Sequence, residues 1–552
     1  MKKSRIRVLD HMASGNDQAV LWHCGRRVVS CVWTLAAVAA VLALGACTVG
    51  PDFERPAAPK VDTYTAHAPG TTAATANVAG GEAQHFTSGS DIPGDWWTLF
   101  HSKALNALIA ESLANNADLE TARAALAVAR ETALAQRGVR YPSVTAGFSA
   151  SREQDPPGAL APVPSNNTYL YNLFTPQLSI SYAPDLFGLN RRTTESAQAQ
   201  AEAARFQMLA TQVTLSTNVV LAAVQQASLR AQVKATKQLV EINQQMLKLL
   251  RKQQSHGYVG RLEVAAQETQ MAQVASSLPP LRKQLEQQNH LLAVLAGQFP
   301  GQARTEAFDL ASLTLPRDLP LSLPSVLVAQ RPDVRQAEAN LHAASAQVGV
   351  ATAQRLPNIS LSANVGSTAL AIGEVFKTGT GFWSVGADLA APIFQGGALL
   401  HQQRAAKAAY RQAAAQYRST VLGAFQNVAD TLAALEQDAD TLQQAAKAAA
   451  AAQVTLDLSQ RQVKDGYAGY LTLLSAEQAY QQAQISLVQA RADRYSDTAA
   501  LFQALGGGWW HGADADQSTP KPAPAGPDGA VPADTAHAAA RKPGDTQARP
   551  KP

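Results

Sequence analysis

Few residues in this chain have types and spacings that could support chemistry, and the most informative of them is a cysteine. The segment Leu44-Gly45-Ala46-Cys47 closes an apolar run over residues 28–44, which follows Arg26 and Arg27. A basic segment, an apolar segment and small residues before a processing position form, in this order, a secretory signal peptide. We therefore predict a signal peptide over residues 1–46, with cleavage between Ala46 and Cys47.

The same four residues match the lipobox of bacterial lipoproteins, which implies a diacylglycerol thioether on the Cys47 sulfur and an acyl group on its amino group. Three acyl chains hold a protein firmly in a bilayer, at about 0.8 kcal/mol per buried CH2, whereas one chain binds marginally. A transmembrane helix over residues 28–46 is the alternative, but it needs no small residues before a cysteine. Thr48 stands where an aspartate usually retains lipoproteins at the inner membrane, so we expect delivery to the outer membrane. The basic segment is long, and Met12 is an alternative start.

Patterns that would support catalysis are missing from the sequence. The 11 histidines are scattered without an H-E-x-x-H motif, and neither a phosphate-binding G-x-x-x-x-G-K-[ST] nor a G-x-S-x-G motif occurs. The other two cysteines, Cys24 and Cys31, precede Cys47, and the net charge of +4 comes from interspersed basic and acidic residues. We expect no enzyme, no metal, no nucleic-acid partner and no cofactor beyond the covalent lipid on Cys47.

The chain consists of two halves built alike. The segment from Asp118 to Tyr141-Pro142-Ser143-Val144 parallels the segment from Asp333 to Leu356-Pro357-Asn358-Ile359 at an offset of 215 positions. Farther on, Gly257-Tyr258-Val259-Gly260 parallels Gly466-Tyr467-Ala468-Gly469 at an offset of 209 positions. Each half reads as a helix, two strands, one very long helix, a glycine-containing break and another helix.

The strands are predicted from alternation with a period of two, over residues 143–152, 175–184, 358–367 and 382–392. Apolar residues on one face alternate with small or polar residues on the other, and the apolar positions are Val144, Ala146, Phe148 and Ala150; Leu178, Ile180 and Tyr182; Ile359, Leu361, Ala363 and Val365; and Trp383, Val385, Ala387 and Leu389. Such strands suit a tilted crossing of an outer membrane, and half-buried strands of a soluble sheet are the alternative. Four strands cannot close a barrel in one chain, so a membrane-spanning sheet requires several copies.

The long helices are predicted over residues 190–256, 262–297, 398–465 and 470–505. Residues 190–255 contain no proline or glycine, so a helix of about 65 residues would extend over roughly 100 Å. Helices of this length must pack side by side, and the abundant alanines suit close packing. A coiled-coil stalk is the alternative, although it would leave the paired strands unused.

Several segments resemble the outer-membrane factors of tripartite efflux pumps, in particular the OprM-like, or NodT-type, lipoprotein branch of these relatives of TolC. The similarity covers residues 47–509, and the segments that carry it are Cys47-Thr48-Val49-Gly50-Pro51-Asp52-Phe53 with Arg55-Pro56, Trp96-Trp97-x-x-Phe100 with Leu105-x-x-Leu108-Ile109, Asn115-Asn116-x-Asp118-Leu119, Gln330-Arg331-Pro332-Asp333-Val334 with Ala337-Glu338, and Ala504-Leu505-Gly506-Gly507-Gly508-Trp509. Each match is modest by itself, but together and in this order they are specific.

The resemblance implies a mainly α-helical fold with transmembrane β-strands. In this fold a homotrimer forms a twelve-stranded barrel, with four strands from each chain, and the barrel continues as a long helical barrel through the periplasm. The turns at Gly257, Tyr258 and Gly260 and at Gly466, Tyr467 and Gly469 would then form the periplasmic tip, where an adaptor protein docks. The family closes this tip with a ring of leucines and a ring of aspartates. Leu471 matches the leucine, but Ser475 replaces the aspartate, so we expect a mainly apolar aperture at Leu471, with a contribution from Asp465 or Glu477.

The domain boundaries follow from these segments. We expect the signal peptide over residues 1–46, a lipidated arm over 47–95, the first repeat over 96–322, the second repeat over 323–510 and a disordered tail over 511–552, with the stretch 57–94 lacking regular structure. The expected function is passive conduction of drugs or other toxic small molecules, as the outer-membrane channel of an efflux pump of the RND type with its inner-membrane transporter. The alternatives are a channel serving an MFS pump or a type I secretion system, and a non-conducting periplasmic coiled-coil lipoprotein.

Overall fold

A computed structural model of the chain describes residues 48–67, 70–158, 169–302 and 306–511. The predicted signal peptide, including Ala46, and the acylation residue Cys47 lie outside the described residues, as does the predicted tail from residue 512 onward.

The first half begins with a short 3-10 helix at Trp96–Phe100, followed by two helices, α1 (Lys103–Asn115) and α2 (Ala117–Gly138). Two strands follow, β2 (Ser143–Gln154) and β3 (Leu170–Tyr182), and then the long helix α3 (Leu189–Ser255) and the helix α4 (Arg261–Leu295). Where one helix was predicted before the strands, the chain forms two, because the Asn116 side chain accepts hydrogen bonds from the backbone of Asp118 and Leu119 and starts a new helix.

The second half repeats this order. Helices α5 (Pro324–Gln330) and α6 (Pro332–Ala353) precede the strands β5 (Asn358–Ser367) and β6 (Gly381–Ala390), and the long helix α7 (Ala398–Lys464) leads to α8 (Tyr470–Ala504). Helices α3 and α7 each contain 67 residues, and α4 and α8 each contain 35 residues. At roughly 1.5 Å per residue, α3 and α7 extend over about 100 Å.

The four long strands form one antiparallel sheet in the order β2-β3-β5-β6. The ends of β3 and β6 fall two residues before the predicted ends, because Pro184 and Pro392 lie beyond them and proline has no backbone donor for a ladder. Strand β3 also begins five residues before its predicted start, since residues 170–174 pair with residues 150–154 of β2.

The stretch 57–94 is not free of regular structure, contrary to the expectation from its composition. It contains the strand β1 (His85–Ser88), which pairs in parallel with β4 (Asp318–Leu321) at the end of the first repeat. Arg494 of α8 fixes the preceding residues, because its fully buried guanidinium donates to the carbonyl oxygens of Gly80 and Glu82 at 3.0 and 3.1 Å. The arm is therefore fastened both to the junction of the repeats and to the last long helix.

Two apolar clusters hold the described residues together. The larger one lies where the short helices meet the middle of the long ones, and its Trp96 ring stacks on Phe502 with 5.1 Å between ring centroids. The smaller one joins the ends of α3, α4, α7 and α8, through residues such as Leu250, Val264, Leu456 and Leu473. By length and composition, α3 alone among the helices of the described part could cross a membrane, but 61% of its most apolar window is buried inside this chain.

Candidate functional site

The strand register places the predicted apolar residues on one face of the sheet. Val144 lies opposite Ile180, Ile180 opposite Ala363, and Ala363 opposite Val385, so one apolar row crosses all four strands. The next row on this face joins Ala146, Leu178, Val365 and Trp383. These side chains are largely exposed in the single chain, and Trp383 and Val385 are 77% and 76% exposed.

The opposite face of the sheet is polar. Thr145 lies opposite Ser179, Ser179 opposite Asn364, and Asn364 opposite Ser384, where the Asn364 side chain donates to the Ser384 hydroxyl at 3.3 Å. Small hydroxyl and amide groups on this face leave it open to water. A sheet that is apolar on one side and polar on the other matches the wall of a water-filled barrel in lipid.

The sheet has two free edges in the described part of the chain, along β2 and along β6. Each edge presents backbone N–H and C=O groups that need partners, and hydrocarbon offers none. Pairing of β6 in one copy with β2 in the next copy would satisfy both edges. The arrangement therefore requires a closed ring of copies before the apolar face can enter a membrane.

At the far end of the long helices, the two Gly-Tyr-x-Gly segments form matching turns. The backbone N–H of Tyr258 donates to the Gln253 carbonyl at 3.0 Å, and the N–H of Tyr467 donates to the Gln462 carbonyl at 2.8 Å. Gly257 and Gly466 both have φ of +76°, which strains any residue with a Cβ atom. Gly260 and Gly469 have negative φ values instead and directly precede α4 and α8. The tyrosines are 80% and 86% exposed, so this end presents aromatic rings to solvent.

The two predicted aperture residues lie on the first turns of α8. The Leu471 side chain is 61% exposed, and the residue four positions later, Ser475, is also exposed and donates its hydroxyl to the Leu471 carbonyl at 3.1 Å. An exposed leucine next to a small hydroxyl presents an apolar surface that carries no charge. This surface is available for contact with other copies of the chain.

Of the two acidic residues considered as contributors to the aperture, the structure excludes one. Glu477 is 2% exposed and lies inside the chain, not on the surface next to Leu471. Burial raises the pKa of Glu477 to about 7. Asp465 lies at the C-cap of α7 and is exposed, so it remains a candidate contributor to the aperture. The sequence alone gave no sign that Glu477 is buried.

The residues that directly follow Cys47 are held at the start of α3. The N–H of Val49 donates to the Phe187 carbonyl at 3.1 Å, and the buried Arg192 side chain donates to Asp52 at 2.6 Å and to Glu195 at 2.8 Å. The chain passes so close to α6 that a Cβ atom on Gly50 would lie 2.4 Å from the Gly349 Cα. Residues 48–52 thus lie beside the junction between β3 and α3. Sequence reasoning identified the segment but missed Arg192.

Comparison with known proteins agrees with this geometry. A family model described as outer membrane efflux protein matches residues 108–298 and again residues 323–507, which confirms the predicted duplication. The toluene efflux pump outer membrane protein TtgC of Pseudomonas putida is 30% identical over 468 residues, which cover 85% of this chain and 94% of the relative. The cation efflux system protein CusC of Escherichia coli is 26% identical over 467 residues, covering 85% and 97% of the two chains.

Solved structures show the same likeness. The outer-membrane channel OprN superposes with a TM-score of 0.73 at 29% identity, covering 84% of this chain and all of that one. A structure of CusC, described in connection with transmembrane channel formation, gives a TM-score of 0.71 at 25% identity and covers 83% of this chain and 100% of its own. Among the described residues no group of three or more His, Cys, Asp or Glu side chains could hold a metal ion.

Proposed function

Since the chain belongs to the outer membrane efflux protein family, we propose that it is the outer-membrane channel of a tripartite efflux pump and conducts toxic small molecules from the periplasm to the exterior. The observation that carries this proposal is the four-stranded sheet, apolar on one face and polar on the other, with both edges unpaired in the described chain. Three copies supply twelve strands, and pairing of neighbouring edges closes the barrel.

Conduction is passive in this mechanism. The polar face of the sheet lines a wet pore, which α3, α4, α7 and α8 continue through the periplasm for about 100 Å. An inner-membrane transporter of the RND type supplies the energy. A lumen lined by small hydroxyl and amide groups binds no solute tightly, in keeping with related proteins named for toluene, pyoverdine and cation export. The protein acts as a conduit and not as an enzyme.

The tip residues have two roles in this proposal. The exposed rings of Tyr258 and Tyr467, presented by the turns at Gly257 to Gly260 and Gly466 to Gly469, form the surface that a periplasmic adaptor contacts. Leu471, with Ser475 next to it, forms the aperture that closes the resting pore around the three-fold axis. Adaptor binding at the turns would move the start of α8 and so widen the ring of leucines.

Anchoring involves Cys47, which we propose carries lipid as its only covalent cofactor. The Arg192 contacts hold residues 49–52 at the start of α3, directly after β3 leaves the sheet. This position is the periplasmic rim of the proposed barrel. Acyl chains on Cys47, which directly precedes the described residues, would therefore enter the inner leaflet of the outer membrane.

Deletion of the gene tests the function. We expect greater sensitivity to a panel of antibiotics, solvents and metal ions, and restoration by the wild-type gene. The purified protein should migrate as a trimer on an unboiled detergent gel, collapse to a monomer on boiling, and conduct ions across a planar bilayer. A detergent-free soluble monomer that never conducts would contradict the channel and favour a periplasmic spacer. Complementation by Cys47→Ser measures separately how far export depends on the lipid.

A further inference from the structure

Two glutamates occupy equivalent positions in the two repeats but lie in different environments. Glu268 of α4 and Glu477 of α8 are each seven residues beyond the first residue of their helices, Arg261 and Tyr470. Glu268 forms an ion pair with Arg251 at 2.7 Å, and the two side chains are 47% and 60% exposed. At the position equivalent to Arg251, the second repeat has Gln460.

The Glu477 carboxyl is buried without a partner. The residue is 2% exposed, and within the described part of the chain neither carboxylate oxygen has a hydrogen-bond partner. Its neighbours along α8, Leu473 and Ala476, belong to the small apolar cluster that joins the four helix ends. A buried carboxylate without a partner is costly, and such a group keeps its proton instead.

Among the described residues no cation pairs with the Glu477 carboxyl. Tyr470 lies near Glu477, and its buried hydroxyl also lacks a hydrogen-bond partner in the described chain. Burial and the nearby Glu477 raise the pKa of Tyr470. Glu263 of α4 is half-buried, with one buried and unpartnered carboxylate oxygen. The other charged side chains near these four helix ends are exposed to solvent: Lys248, Arg251 and Lys252 on α3, Arg261 and Glu268 on α4, and Asp457, Arg461, Lys464 and Asp465 on α7.

We propose that Glu477 is a proton-binding site that couples the closed tip to pH: the neutral carboxyl stays buried while the four helix ends pack together, and separation of these ends exposes Glu477 and releases its proton. This inference rests on the proposed function, because it assumes a tip that opens. It differs from a ring of carboxylates between subunits, since Glu477 lies inside each chain and the lumen-facing position holds Ser475.

The direction of the pH effect follows from burial. In the closed arrangement burial raises the pKa of Glu477 from its ordinary 4.5 to about 7, whereas an exposed Glu477 has an ordinary pKa. Between these two values the closed tip holds a proton that the open tip has lost. Lower pH therefore favours the closed tip, and higher pH favours opening until the pH passes about 7, beyond which the effect is constant.

The test compares trimers of the wild type, Glu477→Gln and Glu268→Gln in planar bilayers between pH 4.5 and pH 8. Glutamine keeps the size of the side chain and cannot ionise. For the wild type and for the exposed control Glu268→Gln, we expect the ratio of open to closed tip to rise with pH, by up to about tenfold per pH unit for each chain that releases one proton. For Glu477→Gln we expect a ratio that does not change with pH.

The outcomes separate this proposal from the function on which it rests. Wild-type current that is independent of pH, or a pH dependence that Glu477→Gln retains, would overturn the proton site and leave the channel intact. Absence of current at every pH would overturn both. If Glu477→Gln fails to form trimers on unboiled gels, infrared titration of trimers that carry Asp438→Asn and Asp493→Asn decides, because these changes remove two other carboxyls whose pKa values are raised. A protonated carboxyl band persisting at pH 6 then supports the proposal, and its absence contradicts it.

Discussion

The Ser475 hydroxyl donates to the main-chain carbonyl of Leu471, one turn back on α8, with 3.1 Å between the two oxygens. The hydroxyl therefore has a partner within its own helix and needs none from another chain. At the position where related channels are expected to carry a carboxylate, this protein has a neutral group bonded to its own backbone. Of these two residues, Leu471 is the one that presents an apolar side chain, which is 61% exposed.

Replacement of Leu471 by serine should increase the conductance of the closed trimer. The substitution removes an apolar side chain that is 61% exposed in the single chain, so water can enter the narrowest part of the pore. Single-channel recording measures this directly. Leu262→Ser changes the equivalent and similarly exposed leucine of the first repeat and should have a smaller effect; unchanged conductance for Leu471→Ser would exclude Leu471 as the aperture.

Ser475→Asp should make the aperture itself respond to pH. Three carboxylates close to one axis repel each other when ionised, so we expect more open channels at pH 7.5 than at pH 5 in a Glu477→Gln background, where the buried proton site is absent. In the same Glu477→Gln background, Ser475→Ala should keep the pH-independent ratio of Glu477→Gln alone, because the lost hydroxyl bonds to its own helix. Equal behaviour of the aspartate and alanine variants would show that residue 475 lies away from the axis.

Arg494→Lys should loosen the arm. The Arg494 guanidinium donates to four oxygens of residues 72–84, those of Thr72, Gly80, Glu82 and Gln84. A lysine ammonium cannot bridge all four, so we expect a loss of roughly 2–4 kcal/mol from the stability of the folded chain. Thermal melting of the trimer on unboiled gels and proteolysis of the arm report this loss. The less buried neighbour Arg491, which donates to Ala79 at 2.9 Å, provides the control, since Arg491→Lys should cost less.

Asp438→Asn should stabilise the folded chain at alkaline pH. Burial, followed by the adjacent Asp497 and Asp493, raises the pKa of Asp438 to about 7. The folded chain then holds a proton that the unfolded chain loses above pH 4, so wild-type stability falls as pH rises toward 7. The variant should melt at a higher temperature at pH 8 and depend less on pH. A melting profile parallel to that of the wild type from pH 5 to pH 8 would contradict this expectation.

Arg192→Ala should release the residues behind the lipid anchor. Its guanidinium is buried and bonds to Asp52, Glu195 and two backbone carbonyls, so we expect a loss of about 2 kcal/mol. Asp52 is 93% exposed, and Asp52→Asn should cost much less. Protease cleavage within residues 48–67 should become faster for Arg192→Ala than for Asp52→Asn, with the helical body unaffected.

Local patterns in the sequence predicted the long elements well. The strand predicted over 358–367 is observed as Asn358–Ser367, and the helix predicted over 398–465 is observed as Ala398–Lys464. Strand alternation and an uninterrupted helical composition depend only on residues that are close together in the sequence, so both can be recognised from the sequence directly. The glycines at the turns are informative for the same reason, because positive φ at Gly257 and Gly466 is a local demand.

Features that depend on distant partners were not predictable. Strand β1 exists because β4 lies beside it, 233 positions later in the sequence, and nothing within His85–Ser88 signals a strand. The early start of β3 likewise depends on β2. The burial of Glu477 could not be predicted for the same reason. Glu268 and Glu477 occupy equivalent positions in the two repeats, and their environments differ only because the residues packed around them differ.

The fastening of the arm by Arg494 also has a consequence for biogenesis. Gly80 and Arg494 are 414 positions apart. The arm leaves the translocation machinery first, but it can form its contacts with Arg494 only after α8 has been exported. Contacts between such distant residues form late and slow the completion of folding. During this interval the apolar side of the sheet and its unpaired edges are open to aggregation, and we therefore expect newly exported chains to need a periplasmic chaperone until α8 arrives.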